Sequence, residues 1–492
     1  MTYKMMQPIE QNLLKNSIFI LLGMSLGYVV LLISGMPQRP ILFAFLILSL
    51  PLGFIWIQDK KKFFLTFIVL DMVLLIDTHM FHDPDLMART SGLQISLTTL
   101  SVLALCILWL FDIFVKKSKF DIYLPKHSIF IFGYLLSYCL SLVNSKDIIT
   151  SFFEIAILLQ NILIYICIIN YAKEKSDIIY IIKILLLGLA IEIAFISIQY
   201  ATGTQFDVLG SSEEVSASGD VQTGDEIDLH RPSGTAKSPN QAAVYLSMML
   251  LVVASLLLQH GNRAKKMVLG GLFSTGTIAL ILTFSRGGWI AFAMGLTSLF
   301  LVSLQRRWIR TKHVVLTAII LALAVGVFAG PIVARLSQDD GGAAYARIPL
   351  MKIALRMIHE HPIFGVGINN FGIVLPHYIT SDVRGEWLAL THNKYLLTFA
   401  ETGVVGLTFF LLLLAQLFFL CIRCIQSRDT FLAYLAAGLF AALVTFSLHM
   451  MVDKLTQRIT IQCFWIIVSI VVASDRVIRL SAQRAERSEA IP

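Results

Sequence analysis

The sequence predicts an all-α polytopic membrane protein of about 12–14 transmembrane helices, with a large external loop that carries short helices. Three observations predict it. The 492-residue chain is 57% hydrophobic and only 14% charged, where a soluble domain carries about 25% charged residues. Apolar runs of about 17–25 residues, the length that crosses a bilayer core as a helix, recur along the whole chain. The polar residues collect in a few connecting segments, two of them long.

The apolar runs place spans near 17–35, 40–57, 63–79, 94–115, 127–143, 150–171 and 178–199 in the first half. They continue near 241–259, 267–284, 287–304, 314–333, 403–422, 430–448 and 459–477. With the N-terminus inside, each inner connection is basic: Lys60 to Lys62, then Lys116, Lys117, Lys119 and Lys126, then Lys173 and Lys175. Arg263, Lys265 and Lys266 follow, then Arg306, Arg307, Arg310 and Lys312, then Arg423 and Arg428, and the tail Arg476 to Arg487. This agrees with the excess of Lys and Arg on cytoplasmic loops and puts both termini in the cytoplasm. The net charge of +8 therefore reflects inner loops rather than a nucleic-acid partner. The first 16 residues are mostly polar and lack a small-residue cleavage site, so the first span acts as the insertion signal. The six cysteines lie in or beside apolar helices, and Cys421-x-x-Cys424 has no second pair, which favours inert packing.

Two outer segments stand apart by length, 200–240 and 334–392, and long connections of this kind usually carry function. The chain divides accordingly into N-terminal helices (1–200), a central catalytic region (201–410) and C-terminal helices with a basic tail (411–492).

The first long segment ends in His230-Arg231-Pro232-Ser233-Gly234-Thr235 and then Ser238-Pro239-Asn240. Ser238 suits an N-cap and Pro239 a first helical turn, so amide donors face outward beside Arg231, as a phosphate requires. An ordinary capped helix with a solvated arginine fits the same residues. Thr283 to Gly288 forms a tight outer hairpin in which Arg286 is the sole charge, on the side where positive charge is disfavoured. Gly287 and Gly288 permit the turn. This arginine reads either as a snorkelling side chain or as an anchor for a pyrophosphate. Ala346 to Asn370 reads as an interfacial helix, with Met351, Leu355 and Ile358 on one face and Lys352, Arg356 and His359 on another. It stops at His361-Pro362-Ile363-Phe364-Gly365-Val366-Gly367.

Thr391-His392-Asn393 closes the second long segment and opens an apolar helix. Thr391 as the cap would place His392 in the first turn, where the positive helix end keeps an imidazole neutral and able to accept a proton. A hydrogen-bonded interface histidine is the plainer reading. Arg231, Arg286 and His392 nonetheless fall on one face of the membrane, in a topology set by other residues. Asp71, Glu154 and Glu192 lie within spans, and ionisable groups at that depth are functional candidates. They feed a rival reading, a secondary transporter, which expects inverted repeats and broken helices at the midplane. No metal cluster, phosphate loop or dinucleotide fingerprint is present, and no cofactor is expected.

Taken together these segments resemble the O-antigen ligase and O-antigen polymerase superfamily of bacterial surface-glycan assembly. The resemblance covers roughly 230–410. It rests on Arg231, Gly234, Pro239 and Asn240, on Ser285-Arg286-Gly287-Gly288, on His361 to Gly367, and on His392-Asn393 followed after nine residues by Gly403 and Gly406. It implies a metal-independent, inverting membrane glycosyltransferase of the GT-C type in the bacterial inner membrane. The donor would be a polyprenyl-pyrophosphate-linked saccharide on the extracytoplasmic face. The acceptor would be a glycan or a lipid-linked molecule, with membrane lipids and other polysaccharide-assembly proteins as partners. By the same analogy Arg231 and Arg286 hold the pyrophosphate, and His392 activates the acceptor hydroxyl. Asn240, Gly287, Arg356, Asn393, Gly403 and Gly406 support them. The span count and the acidic insert Glu213 to Asp228 depart from the ligase pattern and favour a polymerase, with a ligase as the alternative.

Overall fold

A computed structural model describes residues 59–81, 90, 92–115, 122–204, 231–259, 261–310, 326, 343–380 and 390–489. The expected spans at 17–35 and 40–57, nearly all of that at 314–333, and the acidic insert lie outside the described residues.

In chain order the described helices are α1 (Lys60–Leu74), α2 (Leu97–Phe114), α3 (Ile129–Ser141), α4 (Ile148–Tyr171), α5 (Lys175–Thr202), α6 (Pro239–Leu258) and α7 (Arg263–Leu282). They continue as α8 (Arg286–Gln305), α9 (Ala343–Glu360), α10 (Phe371–Val374), α11 (Lys394–Ile425), α12 (Thr430–His449) and α13 (Arg458–Glu489). Among the described residues ten helices are long and apolar enough to cross a membrane. The protein is thus a multi-pass, all-α membrane protein.

One expected span is different. The run at 63–79 helps form only the 15-residue α1, which stops at Leu75 in a left-handed conformation. Asp77–Met80 (β1) then pairs antiparallel with Leu93–Ser96 (β2), Asp77 opposite Ser96. The reason is polar: Asp71 receives the Ile76 amide and the backbone and hydroxyl of Thr98, and it pairs with Arg458. The chain therefore turns back across the mouth of the bundle instead of continuing through it.

The bundle is centred on α6, nearly all of which is buried. It packs on α7, α8 and α12, while α11 lies on α3 and α13 on α4. Small residues allow these close crossings: Gly438 meets Ser255 and the backbone of Val252, and Gly295 meets Thr445 and the Ala441 carbonyl. The Thr445 hydroxyl donates to the Ala291 carbonyl at 3.0 Å. In lipid, where water cannot drive association, such approaches and interhelical hydrogen bonds hold helices together.

The basic connections gather at one end of the bundle. There Lys61 pairs with Asp112 (2.7 Å), Lys175 with Asp429 (2.8 Å), and Arg423 and Arg479 both with Asp475. The hairpin β1–β2, the segment 231–238, the α7–α8 turn, the segment 361–378 and the α12–α13 connection lie at the other end. Their mutual contacts are described next.

Candidate active site

Arg231 is positioned from below by α5. Gln199 accepts the amides of Ser233 (3.1 Å) and Gly234 (2.7 Å) and donates to the Gly234 carbonyl (2.9 Å). Glu192 accepts the Thr235 amide and hydroxyl. Gly234 has φ +59°, and a Cβ there would strike the Glu192 carboxylate. Only glycine meets both conditions cheaply, which explains its place three residues after the arginine.

So held, the Arg231 guanidinium donates through Nε to the Thr283 carbonyl (3.3 Å) and through Nη2 to Asn240 Oδ1 (3.2 Å). The same Asn240 oxygen accepts the Ser285 hydroxyl at 2.9 Å. Ser285 is the N-cap of α8, its side chain accepting the Gly288 amide, and Arg286 is the first helical residue. Asn240 in α6 therefore joins the two arginine-bearing segments. Ser238 caps α6 with Pro239 in the first turn, as expected, but its side chain makes no capping hydrogen bond.

The histidine end is built differently from the sequence reading. Asn393, not Thr391, caps α11, its side chain accepting the Leu396 amide at 3.0 Å. Thr391 is buried two residues before that cap, and His392 stands just before the cap rather than in the first turn. The physical reason is that Asn393 has extended backbone angles (φ −145°, ψ 109°), from which its short amide reaches the third residue of the helix.

What keeps His392 neutral is burial first. Desolvation lowers its pKa below the ordinary imidazole value, Asp453 opposes this, and Lys454 and Arg347 reinforce it. His392 Nδ1 is buried and has no hydrogen-bond partner among the described residues.

Two residues that sequence reasoning missed complete the site. The Lys394 amide donates to the Met450 carbonyl at 2.8 Å, which sets the histidine segment beside the end of α12. There His449 and Asp453, four residues apart, face each other with Nε2 to Oδ2 at 4.0 Å, too long for a hydrogen bond. Asp453 also accepts from Gln241 in α6 at 3.3 Å, and Gln241 in turn accepts the Thr460 hydroxyl at 2.7 Å. Gly287, beside Arg286, lies against Val452 and the His449 ring. A His and an Asp four apart at the end of an apolar helix was the signal that would have found this pair.

The glycines of the two later motifs meet each other. Gly403 has φ 67° and ψ −170°, a break that divides α11 into a short outer helix and a long span. The amides of Val366 and Gly367 donate to the carbonyls of Ala400 (2.9 Å) and Glu401 (3.1 Å), and Val404 donates to Pro362 (2.8 Å). A Cβ on Gly403 would run into the Ile363 carbonyl, and one on Gly365 into the Glu401 backbone. The other side of this loop is pinned to α3 and α4: Asn144 donates to the Gly365 carbonyl (2.8 Å), and Asn370 Oδ1 accepts the Asp147 amide (2.8 Å). Gly406 packs on Thr402 and Ser137.

The helix before this loop has two apolar stripes. Met351 and Leu355 are 38% and 54% exposed, whereas Leu350, Ile353, Ala354 and Met357 are buried against Leu397 and Ala400. Leu350, Ile353, Ala354 and Met357 form the inward stripe at helical spacing, which the sequence reading did not single out. Arg356 donates to the Tyr378 carbonyl (3.0 Å) and the Thr380 hydroxyl (2.5 Å). It tethers the loop that follows α10, whereas Arg231, Asn240, Arg286, Gly287 and Asn393 belong to the connected cluster around His392.

Residues 271–411 match the family model of the O-antigen ligases, Wzy_C. The chain carries an O-antigen ligase-type segment. It runs from α7 past the break in α11 and includes Arg286, Gly287, His392, Asn393, Gly403 and Gly406, while Arg231, Asn240, His449 and Asp453 lie beyond its limits. Comparison with curated proteins finds no match. The ligase-type segment supports a function of the O-antigen ligase or polymerase type.

Proposed function

We propose that this protein is an inverting, metal-independent glycosyltransferase acting on the extracytoplasmic face of the bacterial inner membrane. It takes a saccharide from a polyprenyl-pyrophosphate donor and extends a surface glycan, so it is a polymerase rather than a ligase. The observation that carries this reading is the chain of contacts joining Arg231, Asn240, Ser285 and Arg286 on one side with Gly287, His449 and Asp453 on the other, with the Asp453 charge acting on His392. A doubly charged leaving group and an acceptor hydroxyl need opposite things, two cations and one neutral base, within one site.

In the proposed step His392 removes the acceptor hydroxyl proton as that oxygen attacks the anomeric carbon. The bond from that carbon to the pyrophosphate oxygen breaks, and the two arginines stabilise the charge on the departing pyrophosphate. Asp453 steadies the imidazolium that forms.

The test is surface-glycan length, read by gel, in a deletion strain complemented with wild type, His392→Ala or Arg286→Ala at matched expression. Single repeat units left on the lipid carrier by both variants support a polymerase. Full-length glycan retained on the carrier but missing from its anchor means a ligase. Normal glycan from both variants rejects the catalytic assignment.

A further inference from the structure

A second chamber lies beside the proposed centre. It has a volume of about 320 Å³ and is walled by the hairpin, α4, residues 236–237 and residues 456–462. That size sits at the lower end of the range for small-molecule sites, about 300–1,000 Å³. Five carboxamides line it, Gln94, Gln160, Asn161, Gln457 and Gln462.

We propose that this chamber binds one saccharide unit of the glycan on which the protein acts. The inference rests on the glycan-transfer reading above and assigns that site its sugar-binding compartment.

Three features carry it. A carboxamide offers both donor and acceptor, the match for a sugar hydroxyl that is itself both. Asn161 and Gln462 are each only 2% exposed, and Asn161 Oδ1 and Gln462 Oε1 have no hydrogen-bond partner among the described residues. Buried acceptors left without donors are costly, and ligand hydroxyls would satisfy them. The wall's charge is also mixed: Arg458 is paired with Asp71 and with Asp77 (3.0 Å), and Lys237 and Asp77 line the chamber with it.

The position suits a substrate in transit. Ile157, Asn161 and Ile461 line both this chamber and a narrow slot of about 60 Å³. The slot's far wall holds Lys394, two residues after His392, and Leu455, two after Asp453. Lys237 of the chamber wall sits in the segment that carries Arg231, with φ +58°. The chamber thus adjoins elements of both halves of the proposed centre.

The experiment is saturation-transfer NMR on the purified full-length protein in detergent. The probes are oligosaccharides released by mild acid from the host's own surface polysaccharide. Transfer to sugar protons is expected with wild type and with His392→Ala, and roughly 5- to 10-fold weaker binding with Asn161→Leu or Gln462→Leu. Gln94→Leu on the hairpin, checked with the others for an unchanged melting temperature, should weaken binding in the same direction. Saturation concentrated on the reducing-end sugar would mark the donor end of the glycan, and on the non-reducing end the acceptor. Either supports the site.

No transfer to wild type, or transfer that survives all three chamber variants, overturns it. If His392→Ala leaves glycan assembly normal while the chamber variants still lose binding, the transferase reading falls and the saccharide site stands.

Discussion

The Glu192 carboxylate holds Thr235 by its hydroxyl at 2.7 Å and by its amide at 3.1 Å, from within the buried face of α5. Depth in the membrane made this carboxylate look like part of a transport path. Its hydrogen bonds instead fix the segment that presents Arg231. Asp71 is similarly engaged with Thr98 and Arg458, and Glu154 with the Thr90 hydroxyl at 2.7 Å. All three tie loops to helices at one end of the bundle.

Glu192→Leu is therefore expected to lower glycan output as far as Arg231→Ala does, while Glu192→Gln, which keeps an acceptor for Thr235, retains most of it. Gel analysis of surface glycan separates the two. A proton-coupled substrate flux in vesicles, lost in Glu192→Gln, would restore the transporter reading.

His392→Ala should reduce transfer by about 10²- to 10⁴-fold, the range for loss of a general base, with donor binding little changed. Single-turnover release of polyprenyl pyrophosphate by the purified protein measures it. Comparable loss of donor binding would place the histidine in a holding role instead.

The pH dependence follows from the direction of the His392 shift. Burial lowers its pKa, so the acid limb of activity should lie below the ordinary imidazole value of about 6.5. Asp453 raises that pKa and Lys454 lowers it. Asp453→Asn should move the limb to lower pH and Lys454→Ala to higher pH. Stability carries the same sign. Below about 6.5 the unfolded chain binds a proton that the folded chain resists, so this histidine costs stability as pH falls and nothing above. Rate profiles from pH 4.5 to 8 for the three proteins decide the matter.

Arg231→Lys should lose most of the function that Arg231→Ala loses. A lysine cannot reproduce the planar contact to Thr283 and Asn240. Asn240→Ala should weaken donor binding for the same reason, read as a rise in KM with a smaller change in kcat. An unchanged KM in Asn240→Ala would break the link between the two arginine segments.

Gly403→Ala should destabilise by on the order of 3 kcal/mol or more, since it combines a left-handed backbone angle with overlap on the Ile363 carbonyl. Met351→Ala, on the exposed face of α9, should cost well under that. Thermal unfolding in detergent ranks them.

Apolar run length and loop charge made the helical bundle legible, because both follow from bilayer thickness and the cost of exposed backbone in lipid. The same rule overran at 63–79, where Asp71 and Asp77 sit among apolar neighbours, the helix ends at Leu74 and a hairpin strand takes over from Asp77. Arg231, Arg286 and His392 were legible as isolated charges at helix ends. Asn240 as their connector was legible only as a motif letter, and His449 with Asp453 only as a spacing of four with nothing to tie it to His392. The contacts that tie them, Asn240 to Ser285 and Lys394 to Met450, join segments far apart in the chain, and no local spacing encodes those. The inward stripe of α9 was not legible because both stripes are apolar at helical spacing, and Leu397 and Ala400 decide which turns inward.

The junction between Pro362–Gly367 and the break at Gly403 is made of backbone amides and carbonyls. Of the side chains there, Val366 is buried in the core between α9 and α11, whereas Ile363 is exposed. Ile363 can drift to other identities over evolutionary time without loosening the joint, provided the glycines stay. The surface here can thus change while the frame beside His392 keeps its shape.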